Sequence, residues 1–238
     1  MSGIFVAKGM SITIPAGGLR LSSTGAHNVN AQVSFDVCPS WLEIALDHLK
    51  AAKICNAIRR EAWQGDDAAA KGTALACEFK ASMQAITAAA IAIESFYLTL
   101  RSKVKIKKSK KNEPRYAQIS EACAVAFDLK PKGTELLRAQ LKQLFELRNK
   151  AVHPPSSPAD AFLHPELKVG VEWRFIAFRF ENALPLVRAA VSIVAELSAT
   201  GRPSTEEVKK YADYLKPQLD LFLAEEILSN YSANPPTD

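Results

Sequence analysis

The chain has 238 residues, 48% of them hydrophobic and 23% charged, which is ordinary for a globular protein and long enough to bury a sizeable core. A net charge of +5 permits contact with nucleic acid without demanding it. No apolar run at the N-terminus is long enough for a signal peptide, and the most apolar window, residues 85–93, is mostly alanine and stops at Glu94, so no membrane span is expected.

Residues 1–37 read as strands. Ile12 and Ile14, then Leu19 and Leu21, alternate around a Pro15-Ala16-Gly17-Gly18 turn. Val29, Ala31, Val33, Phe35 and Val37 alternate with polar residues without a break, which predicts a strand with one buried and one wet face. Ser40 followed by Glu43 is a capping-box signal, so a first helix is expected over 41–63, ended by Gly65-Asp66-Asp67. A second helix over 67–103 is alanine-rich, with Gly72 as its weak point. Few charges lie between Met83 and Leu100, so this helix should be central and packed on more than one side. Ala85, Ala88, Ala89 and Ala92 would let neighbours come close. A run of six lysines without an acid follows: Lys103, Lys105, Lys107, Lys108, Lys110 and Lys111.

Helices are expected next over 114–128 and 131–153. Pro154, Pro155, Pro158 and Pro165 then mark a loop. Val169, Val171, Trp173 and Phe175 alternate and predict one more strand, a candidate to pair with the N-terminal ones. A helix over 181–199 follows, and Ser204 with Glu207 caps a last one running to about 229. The expected fold is mostly all-α, an antiparallel bundle of five to six helices. We divide it into an N-terminal β extension (1–38), the bundle (39–200), and a C-terminal capping helix with a frayed tail (201–238).

Cys38, Cys55, Cys77 and Cys123 are widely spaced, without the pairing that suggests zinc or redox chemistry, and read as reduced thiols of a cytoplasmic protein. There is no phosphate-cradling glycine loop, no zinc spacing and no serine or cysteine nucleophile context, so neither metal nor cofactor is expected. His27 and His48 form no constellation with an acid or thiol. His164, beside Pro165, reads as an exposed loop histidine that could close over a neighbouring site. Trp173, Phe175, Phe178 and Phe180 form a dense aromatic cluster, read as core.

The most informative stretch is 136–155. Leu137, Leu141, Leu144 and Val152 make an apolar stripe at helical spacing, and Arg148 sits on it. A guanidinium there cannot lose its charge, so it needs an acid, an anion or water. Glu94, the one acid in the apolar part of the long helix, is the obvious partner. Asn149 and His153 are four apart and share a neighbouring face, and Pro154 places His153 in the last turn. On these residues alone, an Arg148–Glu94 pair holding register and a histidine closing a helix would be a sufficient account.

Arg148-Asn149-Lys150-Ala151-Val152-His153 has the form R-N-x-x-x-H at a helix end. Together with the long AAAIAIESFYLTL helix, the loop and short helix after it, and the LRNKAVHP helix end, it resembles the HEPN superfamily over roughly residues 40–200. Ribonuclease members of that superfamily carry an Arg, a polar residue and, after four to six positions, a His. The resemblance implies a homodimer that brings these residues together across a two-fold axis and cleaves RNA without metal. His153 would move a proton at the ribose 2′-OH or the leaving oxygen, a role suited to the side chain that ordinarily titrates near neutral pH. Arg148 would stabilise charge on the scissile phosphate, Asn149 would orient the histidine or bind a phosphate oxygen, and Glu94 would support Arg148. Residues five apart on a helix point about 140° away from each other, so Arg148 and His153 meet more easily across an interface than within one chain.

In that setting the lysine run would guide RNA, although it offers no aromatic ring for base stacking. Two other readings stay open. One is a non-catalytic HEPN-like module binding a partner protein, a nucleotidyltransferase or, in a toxin–antitoxin pair, the antitoxin. The other is a basic RNA-binding protein that uses the lysine loop alone.

Overall fold

A computed structural model of the chain describes residues 10–14, 16, 19–21, 27–106, 113–153 and 160–229. The chain forms two units, residues 1–37 and 38–238. In the first, β1 (Met10–Thr13) pairs antiparallel with β4 (Gln32–Phe35), and β2 (Leu19–Leu21) pairs antiparallel with β3 (His27–Val29). The expected hairpin between the first two strands is therefore not formed: each pairs with a later strand instead. Pro15, Gly17 and Gly18 of the predicted turn lie outside the described residues. The alternation from Val29 to Val37 is cut as well, because β3 and β4 answer to different partners and Asn30 and Ala31 separate them. Every residue of β4 is exposed, so the expected buried face is absent from it.

The second unit is helical, as the sequence predicts. Among the described residues it comprises α1 (Cys38–Ala62), α2 (Ala68–Lys103), α3 (Arg115–Phe127), α4 (Pro131–Val152), α5 (Arg174–Ala177), α6 (Phe180–Thr200), α7 (Glu206–Leu223) and α8 (Glu226–Ser229). The short strands β5 (Phe162–Leu163) and β6 (Gly170–Val171) pair between α4 and α5. Cys38-Pro39 opens α1 because proline at the first turn has no N–H to leave unpaired. Ser40 is then already helical, and the capping box with Glu43 gives way to an earlier start. Asp67 caps α2, its carboxylate accepting from the N–H groups of Ala69 (2.8 Å) and Ala70 (3.1 Å). Asp128 closes α3 in the left-handed conformation that short polar side chains tolerate.

The core is built around α2, which packs against α1, α3, α4, α6 and α7. Ala85, Ala88, Ala89 and Ala92 are all buried, and their small side chains are what let so many helices approach. Phe96 of α2 stacks near Phe127 of α3 and Tyr211 of α7, at centroid distances of 6.3 and 5.9 Å. Helices α2 and α6 are long and apolar enough, by length and composition alone, to cross a membrane. About half of each apolar window (56%) is buried against the rest of the bundle.

Three further expectations are corrected. The strand predicted over 169–175 shrinks to β6, because the Glu172 carboxylate accepts from the Arg174 backbone N–H at 2.9 Å and turns the chain into α5. The last helix is capped by Thr205, whose Oγ1 accepts from Val208 N–H at 3.2 Å. Ser204 instead donates its backbone N–H to the Ala126 carbonyl at 2.8 Å. That helix also stops at Leu223, with α8 separate. Finally, the four cysteines are not all thiols: Cys55 of α1 and Cys77 of α2 are joined by a disulfide. They stand equally far from Asp66 in the turn between two antiparallel helices, so they face each other. Cys38 and Cys123 are buried, and burial pushes the Cys123 thiol up to about 12.

Gly201, the cap of α6, is required by space rather than by its dihedral angles. A Cβ there would stand 2.3 Å from the Leu197 carbonyl oxygen and 2.5 Å from Phe127 Cδ1. Gly201→Ala is expected to lower unfolding free energy by about 1–3 kcal/mol, read as a shift of the urea midpoint at constant slope.

Candidate functional site

Helix α4 buries Leu137, Leu141, Leu144 and Phe145, then leaves the core. The apolar stripe predicted to reach Val152 ends early, for Val152 is 46% exposed. Arg148 lies at this exit with 29% of its side chain accessible. Its Nη1 donates to Asn149 Oδ1 at 3.1 Å, and its Nη2 stands 3.6 Å from Glu94 Oε2. His153 is the residue that ends the helix; its backbone N–H donates to the Asn149 carbonyl at 2.8 Å. Asn149 and His153 are both exposed. Among the described residues no hydrogen bond joins Arg148 to His153 within the subunit, and His153 itself stands outside the helix with non-helical φ and ψ values.

Glu94 does reach Arg148, as the sequence suggested, but its nearer partner is one the sequence did not suggest. Arg115, the first residue of α3, donates Nε and Nη2 to Glu94 Oε1 at 2.8 and 2.6 Å. Arg115 also lies over the Tyr97 ring, 4.9 Å from its centroid, and donates Nη1 to Gln118 Oε1 at 3.2 Å. Arg101, two turns beyond Glu94 on α2, donates to the Tyr97 hydroxyl at 3.4 Å. The spacing of Glu94, Tyr97 and Arg101 on one helix face was a readable signal. Arg115 gave none, since only the path of the chain between α2 and α3 brings it back.

Beside the α4 exit an apolar groove of about 300 Å³ is lined by Trp41, Ile44 and His48 of α1, Met83 and Ile91 of α2, and Val152. His48 thus stands next to the helix end that carries His153. Of the lysine run, Lys103 turns away onto the Tyr211 ring, 5.6 Å from its centroid, and Lys105 is exposed. Lys107, Lys108, Lys110 and Lys111 lie outside the described residues.

A second polar cluster is buried where α1, α2 and the segment before α6 meet. Glu78 accepts from Arg59 Nε, from Asn56 Nδ2 at 2.8 Å and from the Phe180 N–H at 3.1 Å. Arg59 is fully buried and donates Nη2 to Glu166 Oε2 at 3.0 Å; Arg179 holds the other oxygen of Glu166 at 3.2 Å. Burial alone would lower the Arg59 pKa, but its bond to Glu166 and the charge of Glu78 outweigh burial and raise it. Burial likewise works to raise Glu166, yet the bond and charge of Arg59, with Arg60 and Arg179 behind, hold that carboxylate below its usual range. His164 corrects the expectation of an exposed loop histidine: it is fully buried. Its Nδ1 accepts from the N–H groups of Glu166 (3.3 Å) and Leu167 (3.2 Å).

Burial, then the charges of Arg59 and Arg179, keep the His164 pKa below the usual imidazole value, against the opposing pull of Glu166 and Glu78. The unfolded chain therefore binds a proton at this histidine before the folded one does. Stability is full above about pH 6.5 and falls as the pH drops toward the lowered folded value. Glu166, also lowered, adds a second loss below about pH 4.5. The melting temperature should thus fall in two stages on acidification. His164→Asn, whose Oδ1 can accept the same two N–H groups, is expected to remove the first stage and keep the second.

Fold and site together define an all-α bundle whose fourth helix ends in an accessible arginine, asparagine and histidine, backed by a carboxylate shared between two arginines. Compared with protein-family models, with curated proteins and with solved structures, the chain matches none.

Proposed function

We propose that the protein is a metal-independent endoribonuclease of HEPN type that acts as a homodimer, with Arg148 and His153 of both subunits at a shared cleft. The observation that carries this reading is the open corner at the end of α4. A structural arginine would be sealed against its acid, and a helix-ending histidine needs no such neighbour. Here Arg148 is tethered by Glu94 yet accessible, one helix end also presents Asn149 and His153, and all three can reach a ligand. In the proposed reaction His153 takes the 2′-OH proton or returns one to the leaving oxygen. Arg148 spreads the charge gathering on the phosphate, and Glu94 keeps its guanidinium from swinging away.

That no hydrogen bond joins Arg148 to His153 among the described residues leaves room for a site completed by a second copy. The apolar groove beside Val152, with Ile44 exposed on its rim, offers a surface for that copy. The same groove also favours a second reading, a non-catalytic module that docks a partner protein such as an antitoxin or nucleotidyltransferase. Incubation of the purified protein with single-stranded RNA in excess chelator tests between them. Cleavage by the parent and none by His153→Ala is expected. A parent that leaves RNA intact across buffers and pH while purifying with another protein would favour the second reading.

A further inference from the structure

We propose that Arg115 and Arg148, one on each oxygen of the Glu94 carboxylate, together with Arg101 on the neighbouring Tyr97 hydroxyl, form a phosphate-binding face that holds the backbone of single-stranded RNA on its way to His153. This rests on the nuclease reading for its choice of ligand, and on the geometry for its residues. Glu94 needs one cation, and Arg115 already supplies it through two bonds to one oxygen, at 2.6 and 2.8 Å. Arg148, 3.6 Å from the other oxygen, is beyond hydrogen-bond reach and is not needed to satisfy that acid. A third guanidinium, Arg101, joins the same cluster through the Tyr97 hydroxyl. Two groups that stay charged at any physiological pH thus meet on one carboxylate, with a third on the tyrosine one turn along α2. Their mutual repulsion is relieved when an anion enters, which is the electrostatic signature of a binding face rather than of a structural pair.

The cluster is also rigid where it needs to be. Arg115 is stacked on Tyr97, bonded to Glu94 and bonded to Gln118, which in turn donates to the Glu113 carbonyl at 2.7 Å. These contacts leave donors of its five N–H groups unused while fixing their direction, so little side-chain freedom is lost on binding. Forked guanidinium groups match phosphate oxygens in a way that lysine does not. Tyr97, whose ring is buried under Arg115, has no free face for a nucleobase. Through the arginines the face reads the backbone. Of the lysine run that the sequence suggested as a guide, Lys103 is turned away onto Tyr211.

The test measures fluorescence anisotropy of a labelled single-stranded RNA, about twenty nucleotides long, long enough to bridge several phosphate contacts, with the full chain carrying His153→Ala so that the RNA survives. Arg101→Ala and Arg115→Lys are then added separately in that background. Arg115→Lys keeps the charge beside Glu94 and removes the fork. Each is expected to weaken binding about tenfold, the loss of one charge-assisted contact. Arg101→Ala should also lower the slope of log affinity against log salt by about 0.7, the value for one phosphate contact on a single strand. Melting temperatures read alongside separate this from unfolding. Unchanged affinity and slope in both variants overturn the phosphate face, even if the parent cleaves RNA. Loss of binding in both, with a parent that never cleaves, overturns the nuclease reading and leaves the face standing. A chain that binds no RNA at low salt overturns the face.

Discussion

His153→Ala is expected to lower RNA cleavage by about a hundredfold or more while moving the melting temperature by less than about 2 °C. General acid–base groups contribute about 10²–10⁴ in rate, which sets the first figure. The second follows from where the histidine sits. Its side chain is exposed, and the one contact that matters to the helix end is its backbone N–H on the Asn149 carbonyl, which alanine keeps. An exposed substitution of that kind stays within about 0.5 kcal/mol. The measurement is a cleavage time course in excess chelator together with a thermal melt of the same preparation. A variant that melts normally and cleaves as the parent does would remove His153 from the chemistry. A variant that unfolds would show that the residue is a structural cap after all.

Glu78→Ala should have the opposite profile, a large loss of stability with the chemistry untouched in what remains folded. Glu78 is 1% exposed and accepts from three donors, Arg59 and Asn56 of α1 and the Phe180 N–H that opens α6. Removing it leaves the fully buried Arg59 with Glu166 as its remaining acid. Breaking a buried pair from one side costs about 3–5 kcal/mol, which for a chain of this size is about 10 °C in melting temperature. Urea unfolding measures it directly. Replacing both partners, Arg59→Met with Glu78→Leu, should recover part of that loss, because the uncompensated charge goes with the acid. Full recovery is not expected, since the Phe180 N–H loses the Glu78 acceptor and Asn56 keeps only its bond to Glu181. A single-variant loss below about 1 kcal/mol would mean that the pair is solvated in practice and does not anchor the segment after α4.

The helices were legible because their signals are local. Apolar periodicity and the breaking residues between them placed α2, α3, α4 and α6 to within about two residues, while the caps at Asp67 and Asp128 were not foreseen. Local signals also misled where two of them competed. Ser40 and Glu43 form a good capping box on paper, but Pro39 one position earlier is a better first turn. Val169 to Phe175 alternates like a strand until the Glu172 side chain captures the Arg174 N–H. The R-N-x-x-x-H helix end and its link to Glu94 were visible too, because both need only helical spacing and the rarity of an acid in an apolar stretch.

What lay beyond reach were the contacts between elements distant in sequence. Nothing local marks Arg115 as the cation that takes Glu94, or His164 as a buried acceptor between Arg59 and Arg179. The disulfide between Cys55 and Cys77 was half visible, since both flank a recognised turn at equal distance, yet the antiparallel packing of α1 on α2 had to be known before that symmetry meant anything. By itself the sequence determined a helical bundle around an alanine-lined central helix, and a polar trio at the end of the fourth. Only the tertiary structure decided that this trio stays open, that Arg115 joins Arg148 on the Glu94 carboxylate, and that a loop histidine goes inside. The reason is physical: spacing along the chain sets which face a residue occupies, whereas burial and charge pairing depend on what another part of the chain brings against that face.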